Sequence, residues 1–153
     1  MAQVKIIEMP GFTVVGVSVK TTNQGMQSQK DISNLWGLFV GQNLVAQIHD
    51  KTSPDIYCIY TDYESDFNGP YTTLLGCRVN SLRSIPNGLI ARAIPASTYQ
   101  VYRSTGKLPD SVVKTWAEIW RSGIKRKYIA DFDVYGINTQ NPEQTAVDTY
   151  VSI

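Results

Sequence analysis

The sequence predicts an α+β fold made of two related β-β-α-β-β halves, with a curved, largely antiparallel sheet and two main helices. Two observations carry this prediction. Segments with the two-residue period of strands precede and follow each helical pattern, so strands and helices are segregated within each half. Short motifs also recur in the same order in both halves of the 153 residues, which indicates a pseudo-twofold repeat.

Three pairs of segments carry the repeat. They are Met9-Pro10 and Ile94-Pro95, Leu35 to Phe39 and Thr115 to Ile119, and Tyr57 to Tyr60 and Phe132 to Tyr135. The last pair places Cys58 at the position equivalent to Asp133. We therefore expect a single domain over residues 1–153, with halves at about 1–82 and 86–153 and a ligand cleft between them.

The first half follows from strand periods, a helical period and breaker residues. Strands are predicted over residues 3–8 and 12–20, because a Pro-Gly pair interrupts the apolar pattern between them. A helix is predicted from about Ser28 or Asp31 to Ile48. Its apolar face is Ile32, Leu35, Trp36, Phe39, Val40 and Asn43.

A hairpin over residues 55–79 is predicted next, because Asn68-Gly69 is a strong signal for a tight turn. A turn centred on Phe67-Asn68 would place Cys58 opposite Cys77. Both thiols are nevertheless predicted to be buried and reduced, since two cysteines do not make a disulfide framework.

The second half repeats the plan after a linker at residues 81–88. Its strands are predicted over residues 89–93, 98–104, 129–135 and 146–153, with a polar loop from Asn138 to Gln144. Pro109 and Asp110 mark the start of its helix, and Gly123 marks the end. The apolar face of this helix is Val112, Val113, Trp116, Ile119 and Trp120.

Composition and charge argue against several classes of protein. Hydrophobic residues make up 42% of the chain, charged residues 18%, and the net charge is +1. No direct binding to nucleic acid or to a membrane is therefore expected. With no export signal or membrane-spanning segment recognisable, a cytoplasmic location is predicted. His49 is the one histidine, so neither a metal nor another cofactor is predicted.

The segment from Asp131 to Tyr135 places carboxylates inside an apolar strand. Its two acids and its tyrosine share one face, while the phenylalanine and the valine take the other. Acids in such a strand are costly unless a cation or hydrogen-bond donors meet them, so we expect the floor of a binding pocket here. The residues leave open an alternative, a structural ion pair of Asp133 with Arg92 or Lys127.

Several motifs together resemble a known family over essentially the whole chain. They are Ile59 to Asp66 followed by Gly69-Pro70-Tyr71 and Gly76-Cys77, Gly88 to Ala96, Trp116 to Trp120, and Asp131 to Tyr135. With these motifs the chain resembles the effector-binding domain of AraC-type transcription regulators. This is the GyrI-like superfamily, which also supplies drug-sensing domains of MerR-type regulators.

The resemblance implies a pocket between the two helices and the curved sheet, lined by aromatic rings around a buried acid. In the family that acid is usually a glutamate in a Phe-Glu-x-Tyr pattern, and it falls on Asp133 here, one methylene shorter. The resemblance also implies that relatives bind lipophilic organic cations and that many are fused to a DNA-binding domain. No helix-turn-helix fits into the predicted elements, so we expect a stand-alone ligand-binding module.

The candidate ligand-binding residues combine the acid with aromatic side chains near it. They are Asp133, Trp36, Trp116, Tyr60, Tyr135, Tyr150, Phe39 and Glu118, and Asp131 is a second candidate acid. Any single ring is more often plain core than a ligand contact. The helical wheel favours a solvated position for Glu118. The charged triplet Lys125 to Lys127 is predicted to be a solvated loop.

The sequence is compatible with three functions. The first is a sensor of small amphipathic, cationic aromatic molecules, linked to transcription regulation. The second is an interaction module that acts on a protein partner, such as a transcription regulator. The third is a GyrI-like hydrolase using Asp133 and Tyr135. The sequence carries no nucleophile motif, metal cluster or phosphate loop, so the prediction is a protein that is not an enzyme.

Overall fold

A computed structural model describes residues 3–82, 85–136 and 145–153, without the side chains of Gln3 and Thr145. Its strands are β1 (Gln3–Met9), β2 (Phe12–Thr21), β3 (Ile56–Thr61), β4 (Tyr71–Val79), β5 (Ile90–Ile94), β6 (Ser97–Gly106), β7 (Ala130–Tyr135) and β8 (Thr145–Ser152). Its helices are α1 (Gln27–Gly41), α2 (Leu44–Gln47) and α3 (Asp110–Ser122), and one 3-10 turn (Gln24–Met26) precedes α1.

The eight strands form one antiparallel sheet in the order β1-β6-β8-β7-β3-β4-β2-β5. Exchanging each strand for its counterpart in the other half reverses this order, so the sheet has the predicted pseudo-twofold symmetry. Cys58 on β3 pairs directly with Asp133 on β7. Because the repeat makes these two positions equivalent, the pseudo-twofold axis passes between them. The predicted fold class is confirmed.

Both faces of the sheet are covered, so the central strands are buried on both sides. One face packs against α1 through a cluster that includes Leu35, Phe39 and Leu75. The other face carries a separate aromatic cluster around Phe132 and Tyr99. Side chains alternate between the faces along each strand. Whether a residue occupies an odd or an even position along its strand therefore decides which cluster it joins.

The first helix is shorter than predicted. It ends at Gly41, and Asn43 adopts a left-handed conformation with φ of 50° before the short helix α2 begins. Asparagine tolerates this conformation better than most residues, which explains the break at this position. Val40 is 65% exposed and Asn43 is also exposed, so neither belongs to the inward face.

Helix α3, the second of the two main helices, has the predicted ends. It starts at Asp110, and Gly123 closes it in the left-handed region with φ of 72°. Its buried residues are Val112, Thr115 and Ile119. The prediction was wrong for Val113 and Trp120, which are 61% and 44% exposed, because only a narrow stripe of α3 meets the sheet.

The predicted hairpin forms, but its register differs from the expected one. Cys58 pairs with Leu75, two residues from Cys77, and Cys77 pairs with Val15 on β2. Both thiols are free and buried. The Asn138 to Gln144 loop lies outside the described residues. None of the helices in the described ranges has the length and apolar character needed to cross a membrane.

We expect the crossing of β2 and β4 to tolerate no side chain at Gly16. A Cβ there would lie 2.1 Å from the Leu75 carbonyl oxygen and 2.6 Å from Gly76 Cα. Gly16→Ala should therefore lower the free energy of unfolding by at least about 2 kcal/mol. In the matched control, Gly37→Ala on α1, a Cβ meets nothing within 4 Å, so about 0.5–1 kcal/mol of stabilisation is expected. Urea unfolding of both variants checks the pair, and equal midpoints would contradict it.

Candidate functional site

Asp133 lies at the centre of the sheet, on the face that carries the helices. Its strand β7 runs between β3 and β8, and its cross-strand neighbours are Cys58 and Thr149. The side chain is 0% exposed. A carboxylate placed so deeply needs partners that replace the water it has lost.

Hydrogen-bond donors from three elements meet the Asp133 carboxylate. The Tyr60 hydroxyl donates to Oδ2 at 2.7 Å. The indole Nε1 of Trp116 donates to Oδ1 at 3.1 Å and to Oδ2 at 3.3 Å. The Thr149 hydroxyl donates to Oδ1 at 2.5 Å. All of these donors are neutral, so the carboxylate is solvated by the protein without being neutralised.

In the described part of the chain no lysine, arginine or histidine forms an ion pair with Asp133. The bases considered for this role lie elsewhere. Arg92 pairs with Asp62, and Lys127 is exposed. The structural ion pair suggested as an alternative for Asp133 is therefore absent from the described residues.

Burial raises the pKa of Asp133 to about 6, although its bonds from Thr149, Tyr60 and Trp116 lower it and nearby Asp131 raises it slightly. Because the pKa in the folded state lies above the usual aspartate value of 3.8, the native state holds this proton more tightly than the unfolded chain does. Stability from this group is therefore lost as the pH rises from about 4 through about 6. The ionised carboxylate costs the fold on the order of 3 kcal/mol at neutral pH.

Two tryptophan–tyrosine pairs flank the carboxylate with the pseudo-twofold symmetry of the sheet. Trp36 on α1 packs edge-on against Tyr135 on β7, with ring centroids 4.9 Å apart. Trp116 on α3 packs edge-on against Tyr60 on β3, with centroids 5.4 Å apart. Each half thus supplies a tryptophan for the other half's tyrosine. The two pairs and Asp133 lie between the helices and the centre of the sheet.

Three predicted site residues do not join this group. Tyr150 stacks on Phe132 at 4.6 Å, on the opposite face of the sheet, because its register pairs it with Phe132. Phe39 is 0% exposed within the core beneath α1. Glu118 is partly exposed. Burial raises the pKa of Tyr102, and the charge of Glu118 adds to that effect, which places this acid near β6.

The tyrosine that meets Asp133 is Tyr60, and not Tyr135 as the hydrolase interpretation requires. Burial, followed by the charge of Asp133, raises the pKa of both Tyr60 and Tyr135 well above the usual tyrosine value. Both phenols therefore stay neutral and act as donors or as ring surfaces. In the described ranges no cluster of three or more His, Cys, Asp or Glu side chains could hold a metal.

The second acid, Asp131, is stabilised in a different way. It is 0% exposed and forms an ion pair with Arg126, whose Nη2 lies 2.7 Å from Oδ2. The Tyr63 hydroxyl donates to Oδ2 at 2.6 Å, and the backbone N–H of Ser152 donates to Oδ1 at 2.8 Å. Asp131 is thus fully paired, which leaves Asp133 as the unneutralised acid of the strand.

Arg126 was predicted to be solvated, and that prediction was wrong. Its side chain is 4% exposed and lies in a cage of three aromatic rings. Its Cζ lies 4.5 Å from the ring centroid of Tyr128, 5.5 Å from Trp116 and 5.9 Å from Tyr63. Tyr128 has a φ of 55°, an uncommon conformation for a bulky residue, in the loop that places its ring beside the guanidinium.

Sequence reasoning missed Thr149, Tyr63, Tyr128 and Arg126. The alternation of side chains along β8 could have identified Thr149. This residue lies on the same face of the sheet as Asp133 when β8 pairs with β7 in the observed register. Tyr63 lies in a motif that supported the family resemblance. For Arg126 and Tyr128 no periodic signal exists, since both lie in the irregular segment between α3 and β7.

A shallow surface cavity of about 180 Å³ lies beside Trp120, the neighbour of Trp116 on α3. Asn23, Gln24, Phe67, Asn68 and Trp120 line it. The rings of Phe67 and Trp120 stack at 6.0 Å, and Trp120 lies 6.4 Å from Trp116. An aromatic path therefore runs from the exposed end of α3 to the indole that covers Asp133.

Residues 5–153 match the sequence profile of the Cass2 family, the integron-associated effector binding proteins. The chain belongs to this family. It is 30% identical over 143 residues to YobU of Bacillus subtilis, a candidate transcriptional regulator, and the match covers 90% of this chain and 89% of YobU. The resemblance to effector-binding domains found in the sequence is confirmed, and effector binding is the described role of the Cass2 family.

Two solved structures share the fold. One is the integron cassette protein VCH_CASS2 from the mobile metagenome of Vibrio cholerae, with 28% identity and a TM-score of 0.76 over 99% of this chain and 96% of that one. The other is SAV2435 bound to tetraphenylphosphonium, with 15% identity and a TM-score of 0.82 over 98% of this chain and 93% of that one. The Cass2-family chain thus shares its fold with both proteins.

Thr149→Val should destabilise the protein mainly above pH 6. The change removes a hydrogen bond that lowers the pKa of Asp133, so it raises that pKa further from about 6. We expect a loss of about 1–3 kcal/mol at pH 8 and a smaller loss at pH 5, where the carboxyl is protonated.

Thr73→Val is the matched control for this prediction. Thr73 is buried on β4 of the same sheet, and its hydroxyl has no hydrogen-bond partner among the described residues. Its replacement should cost little at either pH. Denaturant unfolding at both pH values checks the pair, and a Thr149→Val loss of the same size at pH 5 and pH 8 would refute the assignment.

Proposed function

We propose that this chain senses amphipathic organic cations, and that Asp133 supplies the counter-charge for them. The observation that carries the proposal is the fully buried carboxylate of Asp133. It accepts hydrogen bonds from neutral donors, and no basic side chain among the described residues forms an ion pair with it. A delocalised cation placed beside it recovers the energy that the buried charge costs the fold. Hydrated inorganic cations gain less, since they lose their own water on entering such a site.

The rings around Asp133 suit the same class of ligand. Aromatic faces attract a cation by about 0.5–2 kcal/mol each, and a flat or branched aromatic cation also buries its apolar surface against them. Trp36, Trp116, Tyr60 and Tyr135 are the rings proposed to line the ligand. Trp116 covers the acid, so the ligand takes the place of its indole N–H at the carboxylate.

The comparisons support the ligand class and a link to transcription. SAV2435, which has the same fold, has been solved with the lipophilic cation tetraphenylphosphonium. YobU, the relative at 30% identity, is a candidate transcriptional regulator. On this proposal the chain reports the presence of a cationic compound to the transcription apparatus.

Charge selectivity tests the proposal directly. Wild-type protein should bind tetraphenylphosphonium more tightly than triphenylmethane, which has similar phenyl groups but neither a charge nor a hydrogen-bond acceptor. Asp133→Asn should weaken binding of the cation by about 1–3 kcal/mol and leave binding of triphenylmethane unchanged, because only the cation uses the carboxylate. Calorimetric titration measures both ligands.

Asp148→Asn is the matched control for charge selectivity. It removes one carboxylate from β8, where Asp148 pairs with Arg103 away from the site. Both probes should bind this variant as they bind wild type. Equal binding of the two probes by the wild-type protein would contradict the role of Asp133 as the counter-charge.

The affinity for tetraphenylphosphonium should fall as the pH drops through about 6, the pKa of Asp133. Protonation removes the counter-charge, so the loss approaches tenfold per pH unit below that pKa. Cys58, Tyr60 and Tyr135 do not titrate in this window, because burial raises their pKa values and keeps these three side chains neutral.

Titrations between pH 4.5 and 8 check this prediction, since the phosphonium itself carries no titratable proton. In Asp133→Asn the affinity should not change over the same range. A wild-type affinity that is flat through pH 6 would mean that the cation does not meet Asp133.

A further inference from the structure

The guanidinium of Arg126 has more hydrogen-bond donors than the fold uses. Its Nη2 donates to Asp131 at 2.7 Å and reaches the Tyr63 hydroxyl at 3.4 Å. Nε and Nη1 are buried and meet no acceptor within the described residues. Buried charged donors are normally paired, because leaving them unpaired is costly. These two nitrogens therefore call for an acceptor that the described residues do not supply.

Trp116 covers this guanidinium and Asp133 at once. Its indole nitrogen donates to the Asp133 carboxylate at 3.1 Å, and its ring centroid lies 5.5 Å from Arg126 Cζ. A ligand that takes the place of the indole at Asp133 therefore also uncovers the guanidinium. Asp133 and Asp131, the partner of Arg126, lie two residues apart, which is about 7 Å along a strand. One small molecule can span that distance.

The balance of charge selects the kind of acceptor. Arg126 and Asp131 neutralise each other, and Asp133 is the remaining charge of the strand. A cation at Asp133 brings the buried groups to neutrality. A carboxylate on the same ligand would add a negative charge again, whereas a neutral carbonyl accepts the free N–H groups without doing so.

We propose that Arg126 is a second recognition group, and that the ligand is an organic cation carrying a neutral hydrogen-bond acceptor such as an ester or amide carbonyl. This inference rests on the proposed function, since it places the cationic centre at Asp133. It adds the neutral acceptor as a second feature of the ligand that the site recognises. Arg126 therefore distinguishes among cations that Asp133 alone would treat alike.

Three dyes with one tetramethylxanthylium core test this specificity by fluorescence anisotropy on the full chain. Tetramethylrosamine has a phenyl group without an acceptor, tetramethylrhodamine methyl ester adds a neutral ester, and tetramethylrhodamine carries a carboxylate. Wild type should bind the ester about tenfold more tightly than the rosamine, and the carboxylate more weakly than the ester. Equal binding of the ester and the rosamine overturns the proposal.

Arg126→Lys keeps a cation beside Asp131 but removes Nε and Nη1. It should abolish the preference for the ester over the rosamine. Arg103→Lys, at an exposed ion pair with Asp148, is the matched control and should keep the preference. An ester preference that survives in Arg126→Lys overturns the proposal.

A crystal structure of wild type with the ester gives a second test that needs no substitution. The ester carbonyl should lie within about 3.2 Å of Arg126 Nε or Nη1, and a carbonyl bound elsewhere overturns the inference. Failure of the underlying function looks different: the rosamine would then bind wild type and Asp133→Asn equally. Rosamine binding that needs Asp133, without any gain from the ester, removes only the role of Arg126.

Discussion

The central constraint on this structure is an ionisable carboxylate held at the middle of a sheet that is buried on both faces. Asp133 sits beside the pseudo-twofold axis on a central strand of the sheet, and its side chain is 0% exposed. Its partners are therefore side chains from β3, β8 and α3. The two halves and helix α3 must be in place before the carboxylate has its hydrogen-bond partners. The site therefore forms as the protein folds.

Two acids on one strand face show two solutions to the same problem. Asp131 receives a buried arginine, a tyrosine hydroxyl and a backbone N–H, so its charge is neutralised within the fold. Asp133 receives neutral donors, and burial raises its pKa to about 6. A structural acid would be expected to follow the first solution, since a buried charge is costly unless an opposite charge is paired with it. The second solution retains a charge at a cost in stability, which is typical of groups that act on something else.

The internal repeat of the sequence predicted which residues of the two halves correspond to one another. The repeat placed Trp36 with Trp116 and Cys58 with Asp133, and these pairs are related by symmetry in the sheet. Errors arose where a long-range register or an irregular segment decides the outcome. The face taken by Tyr150 depends on its pairing with Phe132, which no local pattern encodes. The burial of Arg126 depends on the path of the chain between α3 and β7, where the residues have no period.

The cysteine at position 58 explains how a duplicated fold can carry a single charge. An aspartate there would face Asp133 directly across the β3–β7 pair. Opposed side chains in such a pair have Cβ atoms about 5 Å apart, so two buried carboxylates would share one proton instead of both ionising. Cysteine avoids this competition, because burial and the charge of Asp133 raise the pKa of its thiol, which stays neutral. The duplicated tryptophan–tyrosine pairs then surround one charge. Under the proposed function, the loss of symmetry at this pair orients the cationic end of the ligand.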